Sequence, residues 1–257
     1  MKSLPFVSLP LLLLMCSLAC AGVSAAQTVS PALTPAQTVR EFYKAMREKR
    51  FRDAFMLSTY RPAVEGLSAE DLAELAPDFA ATAQGIPETF DVSDEAIRGE
   101  AATVMVNLAQ PGESYVPKEM KLRRDNGVWI VVDEEEAQAR KDGKNYFFRL
   151  RIENHHDEAE NMVLLIFRAQ SVYQMQKGRF AELSALVAEK LLPADVQDTI
   201  STGYQFRVTL NSDGRSYGAW AEPARYNRTG KLSYYIDQTG RLQRDDNQGK
   251  PLSPKKK

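Results

Sequence analysis

The chain has 257 residues, 44% apolar and 26% charged, with a formal net charge of −1. That length and apolar content suit one large core or two of roughly 100–150 residues each. The near-neutral balance excludes the broad basic surface of a nucleic-acid binder, so no nucleic acid is expected as a partner.

Residues 1–26 combine an early Lys2, an apolar run and a small-residue end at Val23 to Ala26. This is the anatomy of a secretory signal peptide cut after Ala25 or Ala26, so a periplasmic or extracellular bacterial location is expected. The apolar run is too short for a membrane span, and no integral span is expected after cleavage. Both cysteines, Cys16 and Cys20, fall inside this segment. Ser17 and Leu18 stand where lipid attachment at Cys20 would want a bulky aliphatic and a small residue, so a lipoprotein is not expected. The remainder has no cysteine and must be held together by packing, without disulfides, thiol chemistry or Cys-ligated metal.

Thr34-Pro35 starts a helix, with threonine at the cap and proline at the first position. Val39, Phe42, Tyr43 and Met46 recur at helical spacing and form an apolar face. FRDAFMLST continues as a second helix, and SAEDLAELAPDF opens a third with a capping box. After residue 87 the period falls to two. TFDVSDEAIRG, EAATVMVNLA and VPKEMKLRRDNGVWIVVDE read as strands, with a hairpin turn at Asp125-Asn126-Gly127. Trp129 and Val131 point to one face. Helices followed by an antiparallel sheet describe an α+β domain over residues 34–140.

The helix pair TVREFYKAMREKRFRDAFMLST and the late hairpin KLRRDNGVWIV resemble the NTF2-like superfamily. The resemblance implies a helical layer packed on a strongly curved sheet to form a cone. In some members the cone holds a pocket with Asp, His or Tyr for acid–base chemistry. This half has no histidine. Asp91, Asp94 and Tyr115 are its candidate polar groups, while Phe42 and Tyr43 read as core.

EEEAQARKDGK suits a linker or fraying edge, and residues 141–158 read as linker and the start of a long helix. Met162, Leu165, Ile166, Ala169, Val172 and Tyr173 form its apolar stripe, and Gly178 ends it. RFAELSALV is a short helix or turn, and Leu191 to Gly203 a loop. Three or four antiparallel strands follow, with turns at Gly214, Gly230 and Gly240. Residues 249–257 read as a disordered basic tail.

The order of A-Q-x-x-Y helix, F-x-x-L element, G-Y-x-F, A-x-P and Y-x-x-D-x-x-G resembles the globular head of type IV pilins and type II secretion pseudopilins, over residues 159–248. The processing site and strongly apolar N-terminal helix of filament-forming pilins do not precede it. The resemblance implies a pilin-like head used outside a filament. Acids in the terminal loops of some pseudopilins bind calcium, which makes Asp213 and Asp237 candidate ligands; the alternative is an aspartate capping its own turn.

His155 and His156, followed by Asp157 and Glu158, invite a metal reading. Adjacent histidines diverge by about 100° on a helix, so only His155 with Glu158 could share an ion, and a solvated helix start is the expectation. G-x-G-x-x-G, G-x-x-x-x-G-K, G-x-S-x-G and H-E-x-x-H are all absent from the sequence. No catalytic, ligand-binding or metal residue can be assigned, and no cofactor is expected beyond the calcium alternative.

The sequence therefore predicts an α+β protein of two domains, each with helix packed on an antiparallel sheet. Its expected role is non-catalytic binding or scaffolding in the bacterial envelope, with an envelope or secretion-system protein as partner. Two alternatives stay open. One is small hydrophobic ligand binding, or catalysis, in the N-terminal cone; the other is a pseudopilin-like component of a secretion or pilus system.

Overall fold

Thr34 sets the first helix. Its Oγ1 accepts the Gln37 N–H at 3.2 Å while Gln37 Oε1 accepts the Thr34 N–H at 2.9 Å, a reciprocal cap before Pro35. In this computed structural model, residues 32–109 and 115–254 are described. The expected signal segment lies outside them.

Helix α1 spans Pro35–Arg47, α2 Phe51–Met56 and α3 Arg61–Glu65. Ser68 and Asp71 cap α4, Ala69–Ala83, by the same reciprocal bonding. Four consecutive antiparallel strands follow, namely β1 Phe90–Arg98, β2 Ala101–Ala109, β3 Tyr115–Asp125 and β4 Val128–Val131. Asn126 and Gly127 take φ values of 51° and 83° in the β3–β4 turn, the two left-handed positions of a tight hairpin. Val39 and Tyr43 of α1 bury against Val104, Met120, Leu122 and Trp129 on one face of this sheet.

The segment expected as a linker is structured. Helix α5 spans Glu136–Asp142, with Glu136 bridging Arg123 at 2.9 Å and Arg140 at 2.8 Å. Helix α6 then runs unbroken over the 32 residues Tyr146–Lys177, roughly 48 Å at the helical rise. It serves two cores. Tyr146, Phe147 and Phe148 bury with Phe51, Phe55 and Phe79 in the helical layer of the first domain. Ala159, Val163, Ile166, Ala169 and Tyr173 bury in the second. Val172, expected in the stripe, is 39% exposed, because the buried row passes through Ala169 and Gln170 instead.

The second domain continues with α7 (Leu183–Ala188), a 3-10 turn at Ala194–Gln197 and α8 (Thr199–Thr202), so the expected loop 191–203 holds two short helical turns. Strands β5 Tyr204–Leu210, β6 Tyr217–Pro223, β7 Ser233–Asp237 and β8 Gln243–Asp245 form a second antiparallel sheet in sequential order. Phe206, Val208, Ala219, Ala221, Tyr234 and Ile236 alternate onto the face that packs on α6. Gln170 is fully buried there, and its amide accepts the Ala181 N–H at 2.9 Å and donates to the Ala181 carbonyl at 2.7 Å. The fold is thus α+β, with helices packed on an antiparallel sheet in each of two domains. Among the described residues no helix is long and apolar enough to cross a membrane.

Candidate functional site

Asp71, Glu74 and Asp78 recur at i, i+3 and i+7 on α4, which puts three carboxylates on one face of that helix. Three arginines converge on them. Arg151 of α6, with a side chain 6% exposed, meets Glu74 Oε1 at 2.9 Å and Asp78 Oδ2 at 2.6 Å. Arg225 and Arg228, on the connection between β6 and β7, reach Glu74 at 2.6 and 2.7 Å, and Arg228 also reaches Asp71 at 2.7 Å. Arg228 holds the Asp71 carboxyl down at about 2, helped by the hydrogen bonds from Ser68. Burial pushes Glu74 up, yet Arg228 and Arg225 together keep it below the usual carboxylate range. The cluster ties α4 of the first domain to the second.

Beside it, α4 and α6 enclose a cavity of about 400 Å³. Its apolar lining includes five aromatic side chains, Phe55, Tyr60, Phe79, Tyr146 and Phe147, with Leu75 and Leu150. Phe147 lies 4.8 Å from Phe79 and 4.9 Å from Phe55, ring centroid to centroid, so the wall is a packed aromatic array. Asp78, Thr82, Arg151, Asn154, His155 and Glu158 form the polar part of the lining. Asp78 and Arg151 are bound to each other. Burial raises the Tyr60 phenol far above its ordinary value, reinforced by a hydrogen bond with Asp133, and burial raises Tyr146 as well. Both phenols stay neutral and serve as hydrogen-bonding groups. The volume falls within the range of small-molecule sites, and aromatic walls with few polar groups are their usual composition.

A second hollow, of about 710 Å³, lies between Lys49–Asp53 and the Leu72, Ala73, Ala76, Pro77 and Ala80 side of α4. Phe51 is the one aromatic residue lining it.

The histidines are not a solvated helix start. They lie in the third turn of α6 and bind the β6–β7 connection. His155 Nδ1 is 2.8 Å from the Thr229 carbonyl oxygen, which makes Nδ1 the protonated nitrogen. His156 Nε2 accepts the N–H groups of Lys231 at 3.0 Å and Leu232 at 3.2 Å, and Tyr234 Oη donates to the His156 carbonyl at 3.0 Å. Burial lowers the His156 pKa, against the pull of Asp157 and Glu153, and keeps it the neutral acceptor this contact requires. Asp157 and Glu158 are exposed. Among the described residues no group of three or more His, Cys, Asp or Glu side chains is placed to hold a metal ion.

Asp237 Oδ1 accepts from Thr239 N at 2.8 Å, and Asp213 Oδ1 accepts from Arg215 N at 2.8 Å, so each aspartate caps its own turn. Among the described residues, side chains of α1 pack into the core of its sheet. Tyr43 is 4% exposed, its hydroxyl donates to Met120 Sδ at 3.5 Å, and Phe42 packs against its ring. Asp91 and Asp94 are exposed, and Tyr115 is 61% exposed, so none of the three is brought into a shared pocket. The cavity between α4 and α6 was not foreseen from the sequence.

No protein-family model matches the chain, and no curated protein matches it. Among solved structures, a crystal structure described as an NTF2-like transpeptidase from Campylobacter jejuni is similar at 14% identity and a TM-score of 0.29. The match covers 40% of this chain and 100% of that one. This is a weak and distant structural similarity to an NTF2-like protein over part of the chain.

Proposed function

We propose that this is an exported, non-catalytic binding protein of the bacterial envelope, and that the cavity between α4 and α6 takes a small apolar molecule. The aromatic lining of that cavity carries the reading. Three of its ionisable wall groups support binding rather than turnover, because Asp78 and Arg151 are paired and His155 Nδ1 is committed to Thr229. The cavity abuts the arginine cluster that joins the domains, so a bound molecule would stiffen the junction against which a protein partner docks. The resemblance of the second domain to a pilin-like head belongs to the same proposal.

Titration with an environment-sensitive naphthalene dye tests the reading. Saturable fluorescence enhancement is expected, and Ala81→Trp should abolish it by placing an indole at an exposed position of the cavity wall. Equal enhancement in both proteins would place the dye elsewhere and remove the cavity from the account.

A further inference from the structure

The face of the second sheet turned away from α6 carries a row of side chains that the proposed function does not use. Gly218, Trp220 and Glu222 alternate onto it from β6, and Arg207 and Tyr235 flank them from the neighbouring strands. Trp220 and Tyr235 rings lie 4.9 Å apart, and the Arg207 guanidinium stands 4.5 Å from the indole centroid. A Cβ at Gly218 would come within 2.4 Å of Trp220 Cη2, so only glycine lets the indole lie there.

The chain itself crosses this face. After β8, Asn247 Nδ2 donates to the carbonyls of Lys250 and Pro251, at 3.2 and 2.8 Å, and holds a turn. Leu252 then presents its carbonyl to Trp220 Nε1 at 2.9 Å. Part of the expected disordered tail is therefore a strap tied to this face. It fits its bed incompletely. Glu222 Oε1 and Ser233 Oγ, each one residue beyond the paired Ala221 and Tyr234, have no hydrogen-bond partner among the described residues. They are 8% and 0% exposed, and Glu222 Oε1 forms a long ion pair with Arg207 Nη2 at 3.6 Å. A hollow of about 340 Å³ continues past Trp220 and Tyr235 to Asn211, Asp237 and Gln238.

We propose that this face is a docking groove for an extended, proline-containing basic peptide of another protein, and that the strap around Lys250-Pro251-Leu252 occupies it in the partner's place. The strap shows the backbone register the groove accepts, with a carbonyl on the indole N–H. The long Glu222–Arg207 ion pair and the unpartnered Ser233 hydroxyl define what the partner adds, a lysine or backbone donor at Glu222 and Ser233, with Asp237 further along. An aromatic-lined groove reading an extended proline segment is a general mode of peptide recognition. Tethering gives the strap an effective concentration in the millimolar range, so a free peptide competes poorly until the strap is loosened.

The two tryptophans, Trp129 and Trp220, give two indole N–H resonances in the full chain. The probe is the synthetic peptide of residues 247–254. It should shift the Trp220 resonance saturably, leave Trp129 in place as a report of folding, and half-saturate at least about tenfold lower in Pro251→Gly than in the wild type. No shift in Pro251→Gly, or equal half-saturation in both proteins, would overturn the proposal. So would a shift accompanied by a doubling of mass, which would assign the groove to exchange of straps between two copies.

Discussion

The Arg228 guanidinium stands 3.7 Å from the centroid of the Phe148 ring. The arginine belongs to the second domain and the ring is buried in the helical core of the first, so this cation–π contact joins two cores. Arg228→Ala removes it together with the ion pairs to Asp71 and Glu74. The side chain is 35% exposed, which limits the effect to about 1–2 kcal/mol. Arg228→Lys keeps the charge but loses the planar fork and should recover less than half of the loss. Urea denaturation of the three proteins measures this.

The same cluster predicts an acid-sensitive junction. Asp71 has a folded value of about 2 against an ordinary 3.8, and Glu74 is also lowered. A depressed carboxylate contributes stability that is present above its unfolded pKa and is lost as pH falls through the folded one. Stability should therefore drop between about pH 4 and pH 2, and Asp71→Asn should flatten part of that drop. Denaturation midpoints across this range give the result.

His156 predicts a second, milder pH dependence. Burial lowers its pKa from 6.5, so the unfolded chain binds the proton more readily than the folded one. Stability should be full above pH 6.5 and fall as the pH drops below it. Protonation of Nε2 also removes the acceptor for Lys231 and Leu232. Thermal melts at pH 7.5 and 5.0 should show a loss in the wild type that is smaller in His156→Gln.

Gly203 has φ +67°, and a Cβ there would come within 2.3 Å of His155 Nδ1, the atom bonded to the Thr229 carbonyl. Gly203→Ala should cost at least about 2 kcal/mol through backbone strain and displacement of that ring. Accelerated amide exchange at 229–232 would locate the damage.

Local signals carried much of the fold. Thr34 and Ser68 cap the helices that begin after them, and Asn126-Gly127 turns the β3–β4 hairpin, because each acts within four residues of itself. The path of α6 was less legible, since its apolar rows serve different cores and the polar stretch ENHHDEAE between them reads as a break. That stretch is helical because its histidines find partners some 75 residues away in sequence. The cavity was illegible for the same reason. Its rings come from α2, the turn before α3, α4 and the first turn of α6, and nothing local relates Phe79 to Phe147. The strap escaped because PLSPKKK is polar in composition, while its contact with Trp220 uses a backbone carbonyl.

A crystal structure of residues 27–257 soaked with a small aromatic probe such as indole tests the binding account most directly. The account predicts probe density in the cavity between α4 and α6, against Phe79 and Phe147. Density only between α1 and the first sheet, or a cavity closed by its own side chains, would contradict it.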